Sequence, residues 1–234
     1  MKIAILTSMC GMSNSLHNPT QKFDGVDYIA FVDRPHASAT AWDQRTALDF
    51  TLDYSYKGRR NAKIYKILPH LFLPEYDYWF WVDPTHEVTV CPRLIIEEYM
   101  NNADMGLWKH KHRDCAYQEG EELRSLNYDH QELIQDQLSY YKSMKFPEHW
   151  GLYELPINIR KNTDGVKILN MRWWEQICKY SSRDQMSFPF VLWKTGVSTK
   201  LLPGFANGGS PQTTNPLIPQ VRSSPPYERS PIRH

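Results

Sequence analysis

Cysteine is sparse. The 234 residues hold four, Cys10, Cys91, Cys115 and Cys178, and no two stand close enough for a zinc knuckle or a C-x-x-C redox pair. A disulfide-stapled scaffold and a cysteine-built metal centre are thereby excluded, and the thiols read as the reduced cysteines of an intracellular protein. An excess of either charge is also missing, with 27 Lys and Arg against 26 Asp and Glu. Nothing marks a surface that coats nucleic acid, so no nucleic-acid partner is expected. No apolar run is long enough to span a bilayer, and the short run at Met1–Thr7 is too brief for a signal peptide. These absences predict a cytoplasmic protein with no membrane segment. Internal repeats are absent as well.

Aromatic residues are plentiful, at 13% with 8 tryptophans. Such residues fill cores and also line pockets for sugars and bases. Apolar strands and amphipathic helices alternate along the chain. Lys2–Ser8, Asp27–Val32, Tyr76–Val82, Asp104–His110 and Glu154–Arg160 read as strands, and His86–Val90 alternates like a short one. Arg59–Leu73 reads as a helix whose Ile64, Ile67, Leu68 and Leu71 form one buried face. Pro92–Met100, Glu119–Leu126, His130–Met144, Val166–Tyr180 and Asp184–Lys194 read as further helices. The expected class is α/β, with a mostly parallel mixed sheet flanked by helices. Residues 1–205 are expected to form one domain. Residues 206–234, rich in Pro, Gly and Ser, read as a linker or disordered tail, with further domains expected beyond it.

Four constellations could carry chemistry. Asp33 and Asp83 each end an apolar strand, which puts both carboxylates at the carboxyl edge of a parallel sheet, where ligands of open α/β folds bind. There a carboxylate accepts from a ribose hydroxyl or ligates a hard cation; the ordinary alternative is an Asx turn. Arg59-Arg60-Asn61-Ala62-Lys63-Ile64-Tyr65-Lys66 places cations near a helix start, a setting that suits a diphosphate, although most such runs are solvated helix faces. Lys109-His110-Lys111-His112-Arg113-Asp114 offers a His-x-His pair, for half a metal site or an anion grip, or else a charged surface loop. In Ser181-Ser182-Arg183-Asp184-Gln185, Asp184 is either a helix cap or a general base at a pocket mouth.

These pieces in this order resemble a glycosyltransferase-like family with plant cell-wall and mucilage, bacterial and large-DNA-virus members, chlorovirus enzymes of capsid glycans among them. The resemblance rests on Arg60-Asn61-Ala62-Lys63, Tyr65 to His70, Tyr76-Asp77-Tyr78 through Asp83, His110 to Glu119, Trp173-Trp174 and Ser182 to Phe188, continuing to Lys194. It implies a GT-A-like nucleotide-binding sandwich that moves a hexose or 6-deoxyhexose such as rhamnose from a nucleotide sugar, UDP-linked by the fold's habit, to a glycan or glycoprotein acceptor. It implies Mn²⁺ or Mg²⁺ at Asp83, although Thr85 stands where the family's acidic motif has a second Asp, leaving Glu87 or a histidine to complete the set. Thr7, Ser8 and Met9 with Asp33 would then meet base and ribose, Arg60, Asn61 and Lys63 the diphosphate, and His110 and Gln185 the rest of the donor. Asp184 would be the base if the reaction inverts, or would hold sugar hydroxyls if it retains. Two other readings stand beside this one. A sugar nucleotidyltransferase would need a Gly-rich basic loop, where Ser8-Met9-Cys10-Gly11-Met12-Ser13 has one glycine and no cation. A degenerate sugar-binding module would explain Thr85.

Overall fold

The structure, a computed structural model, describes residues 1–11, 15–49, 57–204 and 206. The Pro/Gly/Ser-rich segment 207–234 lies outside the described residues. Seven strands form one sheet: β1 (Ile3–Met9), β2 (Val26–Val32), β3 (Asp43–Thr46), β4 (Tyr78–Val82), β5 (Met105–Lys109), β6 (Tyr153–Lys161) and β7 (Thr199–Leu201). Their order is β3-β2-β1-β4-β6-β5-β7. Every residue of β1 is buried, which is why it reads as a continuous apolar run rather than an alternating one. β1 pairs in parallel with β2 and β4, and β2 with β3, while β6 runs antiparallel to both β4 and β5. Because β6 is reversed, its beginning at Tyr153 lies at the edge where β1, β2, β4 and β5 end.

The two sheet faces carry separate cores. Leu6, Phe31, Trp79 and Trp81 pack under the helices α1 (Lys57–Ile67), α4 (Ala116–Ser125), α5 (Gln131–Ser143), α6 (Asp164–Lys179) and α7 (Asp184–Thr195). Ile3, Ile5, Tyr28, Phe80 and Val82 pack on the other face beneath α3, which begins at Pro92–Leu94 and continues as a π turn through Ile95–Tyr99. Among the described residues no helix is long and apolar enough to cross a membrane. All four cysteines are free, and burial pushes the Cys10 thiol up to about 11, so it is inert as a nucleophile.

The expected α/β sandwich is met, with differences that have local causes. The helix expected over Arg59–Leu73 is broken: α1 ends at Ile67 and a short α2 (Pro69–Phe72) follows, because Pro69 has no N–H to continue the ladder. The freed carbonyls of Lys66 and Ile67 accept instead from the buried Arg160 of β6. His86–Val90 is no strand. It has no ladder partner; the loop before β2 holds it through side chains, with Thr20 donating to Glu87 and Gln21 to the carbonyl of Thr89. The sequence reading missed β3 and β7. Both are polar or exposed edge strands without the apolar signature of a buried one.

Candidate active site

The carboxyl edge of the sheet carries a chain of alternating charges. Asp83 follows β4, Lys63 and Lys66 project from α1, and Asp184 opens α7. Lys63 Nζ lies 2.8 Å from Asp184 Oδ1, Lys66 Nζ lies 2.5 Å from Asp184 Oδ2, and Lys66 also reaches Asp83 Oδ1 at 3.4 Å. Trp81 Nε1 donates to that same Asp83 oxygen at 2.6 Å. Lysines three apart on a helix share a face, and α1 turns that face onto the N-terminus of α7. Burial alone would raise the Asp184 carboxyl, yet Lys63, Lys66 and the neighbouring Arg183 hold it far below the usual carboxylate range. Burial likewise opposes the Lys66 charge, but Asp184 and Asp83 outweigh it and hold the ammonium above its usual value.

This geometry bears on the role expected of Asp184. A carboxylate that is 4% exposed, gripped by two ammonium groups and strongly acidified is a poor acceptor of a proton. Its two ion pairs hold Lys63 and Lys66, and α1 with them. Lys66 was not singled out from the sequence, although it is the central member of the chain. Its i, i+3 relation to Lys63 was the available signal.

The other expected residues separate into those at this edge and those turned elsewhere. Asp33 Oδ2 accepts from Gly11 N at 2.5 Å, so the ends of β1 and β2 are tied together. Gly58 of α1 abuts the same turn: a Cβ there would stand 2.6 Å from the Cys10 carbonyl oxygen, so only glycine allows the helix start to approach β1 this closely. Arg60 donates to the carbonyls of Ile177 and Tyr180 at the end of α6, just before the segment that leads to Asp184. Asn61 is buried and donates to Asp49. Thr7 points to the opposite sheet face, where its buried hydroxyl has no hydrogen-bond partner and lines a solvent-open cleft of about 430 Å³ with Trp42, Asn18 and His86. Ser8 meets Cys10 Sγ at 3.5 Å, and the side chain of Met9 is core. Gln185 Nε2 donates to the Tyr153 carbonyl at 3.3 Å, which links α7 to the start of β6.

His110, at the end of β5, accepts at Nδ1 from the backbone N–H groups of His112 and Arg113. That fixes its tautomer: the proton sits on Nε2. Burial, the largest influence, lowers its pKa, which favours the neutral ring. The loop beyond is held by Glu119, fully buried, which accepts from Arg113 at 2.7 and 2.9 Å and from Arg183 at 3.1 Å. The residue before Asp184 is thus clamped to the His110 loop.

The side chains present do not make a preformed divalent-cation site. Among the described residues no three His, Cys, Asp or Glu side chains gather. Asp83 Oδ1 is committed to Trp81 and Lys66, Thr85 Oγ1 faces His86 Nδ1 at 2.9 Å, and Glu87 is spent on Thr20. Asp83 Oδ2 takes part in none of these bonds, and a cation held there would draw its remaining oxygens from substrate phosphates and water.

Residues 50–203 match the family described as TOD1/MUCI70, glycosyltransferase-like domain. The chain belongs to this family. It is 27% identical over 166 residues to the probable hexosyltransferase MUCI70 of Arabidopsis thaliana, a match covering 66% of this chain and 28% of that protein, so the chain spans well under half the length of that relative. Two solved structures share the general architecture. Mouse xyloside xylosyltransferase 1, apo form, has a TM-score of 0.46 at 12% identity, covering 86% of this chain and 84% of that one. The apo structure of the bifunctional glycosyltransferase WbbM has a TM-score of 0.48 at 12% identity, covering 87% of this chain and 38% of that one.

Proposed function

We propose that the domain transfers a hexose or 6-deoxyhexose from a nucleotide sugar, UDP-linked, to a glycan acceptor. The observation that carries this is the Lys63–Asp184–Lys66–Asp83 chain at the carboxyl edge of a domain from a glycosyltransferase-like family. Its charges already balance. An array of alternating carboxylates and ammoniums suits the hydroxyls of a sugar, because each carboxylate accepts and each ammonium donates. The nucleoside diphosphate is assigned to the adjoining ends of β1 and β2 and the start of α1. There Asp33 stands ready for a ribose hydroxyl and the first N–H groups of α1 face an anion. As the anomeric bond breaks, its electron pair goes to the diphosphate, and Lys63 and Lys66 offset the charge that develops. No part of this step is assigned to a metal, and Mn²⁺ or Mg²⁺ enters as a variable of the test. His110 donates its Nε2 proton to a donor oxygen.

The test is a thermal-shift screen of UDP-, GDP-, dTDP- and CMP-sugars, with and without Mn²⁺, on wild type, Asp33→Ala and Asp83→Ala. A ligand of the native state raises apparent stability by mass action. The expected result is a shift with one nucleotide family, reduced in Asp33→Ala. No shift with any donor would remove the transferase reading in favour of a sugar-binding module.

A further inference from the structure

A second pair of side chains stands at the same edge, in the half of the sheet that the donor reading leaves empty. His149 Nδ1 lies 2.7 Å from Asp114 Oδ1, and both side chains are about half exposed. The carboxylate accepts from Nδ1–H, so in the neutral ring the lone pair lies on His149 Nε2, the reverse of His110. The loop is shaped to hold this ring. His149 adopts φ 55° and Gly151 φ 133°, left-handed values that a histidine rarely takes. Such a residue persists when its surroundings over-determine it. Here Asp114 supplies both fastenings: its carboxylate holds the imidazole and its carbonyl accepts from Gly151 N at 2.9 Å. The loop is also tied to the donor half. His110 N donates to the Leu152 carbonyl, and the next carbonyl, Tyr153, accepts from Gln185 beside Asp184. Tyr153 lies four positions after His149, a reach of at most about 14 Å. Asp184, held between two lysines, is a weak acceptor for the proton of an attacking hydroxyl.

We propose that His149 is the general base of this site and Asp114 its positioning residue. The inference rests on the transferase reading above. The acceptor hydroxyl gives its proton to His149 Nε2, its oxygen bonds to the anomeric carbon, and the anomeric carbon–phosphate oxygen bond breaks with its pair leaving on the nucleoside diphosphate. The incoming group is an uncharged sugar hydroxyl, or water in its absence.

The experiment uses UDP-glucose and UDP-rhamnose with water or azide as nucleophile, following UDP release and glycosyl azide formation. Azide attacks without losing a proton, so it needs no base. His149→Asn is the chosen variant, since asparagine tolerates the left-handed backbone, and Asp114→Asn is the second. General bases contribute about 100-fold or more. The expected result is a loss of water-dependent release of that order in His149→Asn, azide reaction at the wild-type rate, and no further loss when Asp114→Asn is added. Water and azide reactions that fall together, or that both persist, overturn the base assignment and leave the pair as a loop clasp. If the wild type releases UDP from neither donor with either nucleophile, the transferase reading fails first and the base assignment with it.

Discussion

Lys66→Met is the substitution that most directly questions the charge chain. The methionine keeps the length and apolar stem of the lysine, which is 4% exposed, and removes only the ammonium. Asp184 is then left with Lys63 alone in a site that is 5% exposed. Removing one partner of a buried ion pair costs about 3–5 kcal/mol, because the remaining charge stays desolvated. The second contact of Lys66, to the 37% exposed Asp83, is solvent-screened and adds about 0–1 kcal/mol. For a domain of about 200 residues, each kcal/mol shifts the melting temperature by about 2–4 °C, so the expected fall is about 6–20 °C. Adding Asp184→Asn removes the stranded charge, so the double variant should be more stable than Lys66→Met alone. Urea unfolding followed by the fluorescence of the 8 tryptophans measures all four members of this cycle. A Lys66→Met protein within about 1 kcal/mol of wild type, or a double variant that loses the sum of both single losses, refutes the reasoning.

Asp184 carries a pH consequence of definite sign. Its folded-state pKa lies far below the ordinary 3.8, so its stabilisation is complete above that value and is lost as pH falls below it. Asp184→Asn should flatten the acid limb of a stability profile below about pH 4; an unchanged limb would count against the ion pairs. His70 acts higher in pH. Burial first, then Arg160 and Lys167, hold its imidazole down to about 4 from 6.5, so the unfolded chain binds the extra proton between those values. Stability from this group is present above 6.5 and lost as pH falls towards 4, and His70→Gln should show a smaller drop in urea midpoint between pH 7 and pH 5 than wild type. Gly58→Ala should reverse the usual helix rule. Alanine ordinarily stabilises a helix by about 1 kcal/mol over glycine. Here its Cβ would meet the Cys10 carbonyl oxygen at 2.6 Å and Gly11 Cα at 3.2 Å, both backbone atoms. A loss of about 1–3 kcal/mol in chemical denaturation is expected, and a gain would show that α1 can draw back from β1.

Much of the sandwich was legible because its central strands are buried on both faces. A strand such as Ile3–Met9 has no solvent side and must be written in apolar residues. The edge strands Asp43–Thr46 and Thr199–Leu201 were not legible for the converse reason: half their ladder and most of their side chains face water. The site follows the same logic one level up. Asp83 could be placed because a strand and a proline bracket it, and Lys63 because helical spacing assigns its face. The partner of each charge could not be placed. Asp184 reads from sequence as a cap or a base at a pocket mouth, and its burial between two lysines follows from α7 laying its first residue on α1, a tertiary fact with no local signature. Arg60 shows the same rule from the other side, since its bonds to the carbonyls ending α6 come from tertiary packing that the run of cations does not record.

The opposite tautomers of His110 and His149 lie further still from anything a sequence pattern records. Each is set by what the far ring nitrogen touches: two backbone N–H groups in one case, a carboxylate thirty-five residues away in the other. A His-x-His spacing therefore drew attention to His112, whose backbone N–H donates to His110 Nδ1 while the two rings meet edge-on at 6.3 Å. The partner with complementary chemistry is His149, brought to the same edge by the reversal of β6. That reversal, rather than any motif, is what brings the His149–Asp114 pair to the edge where β5 ends.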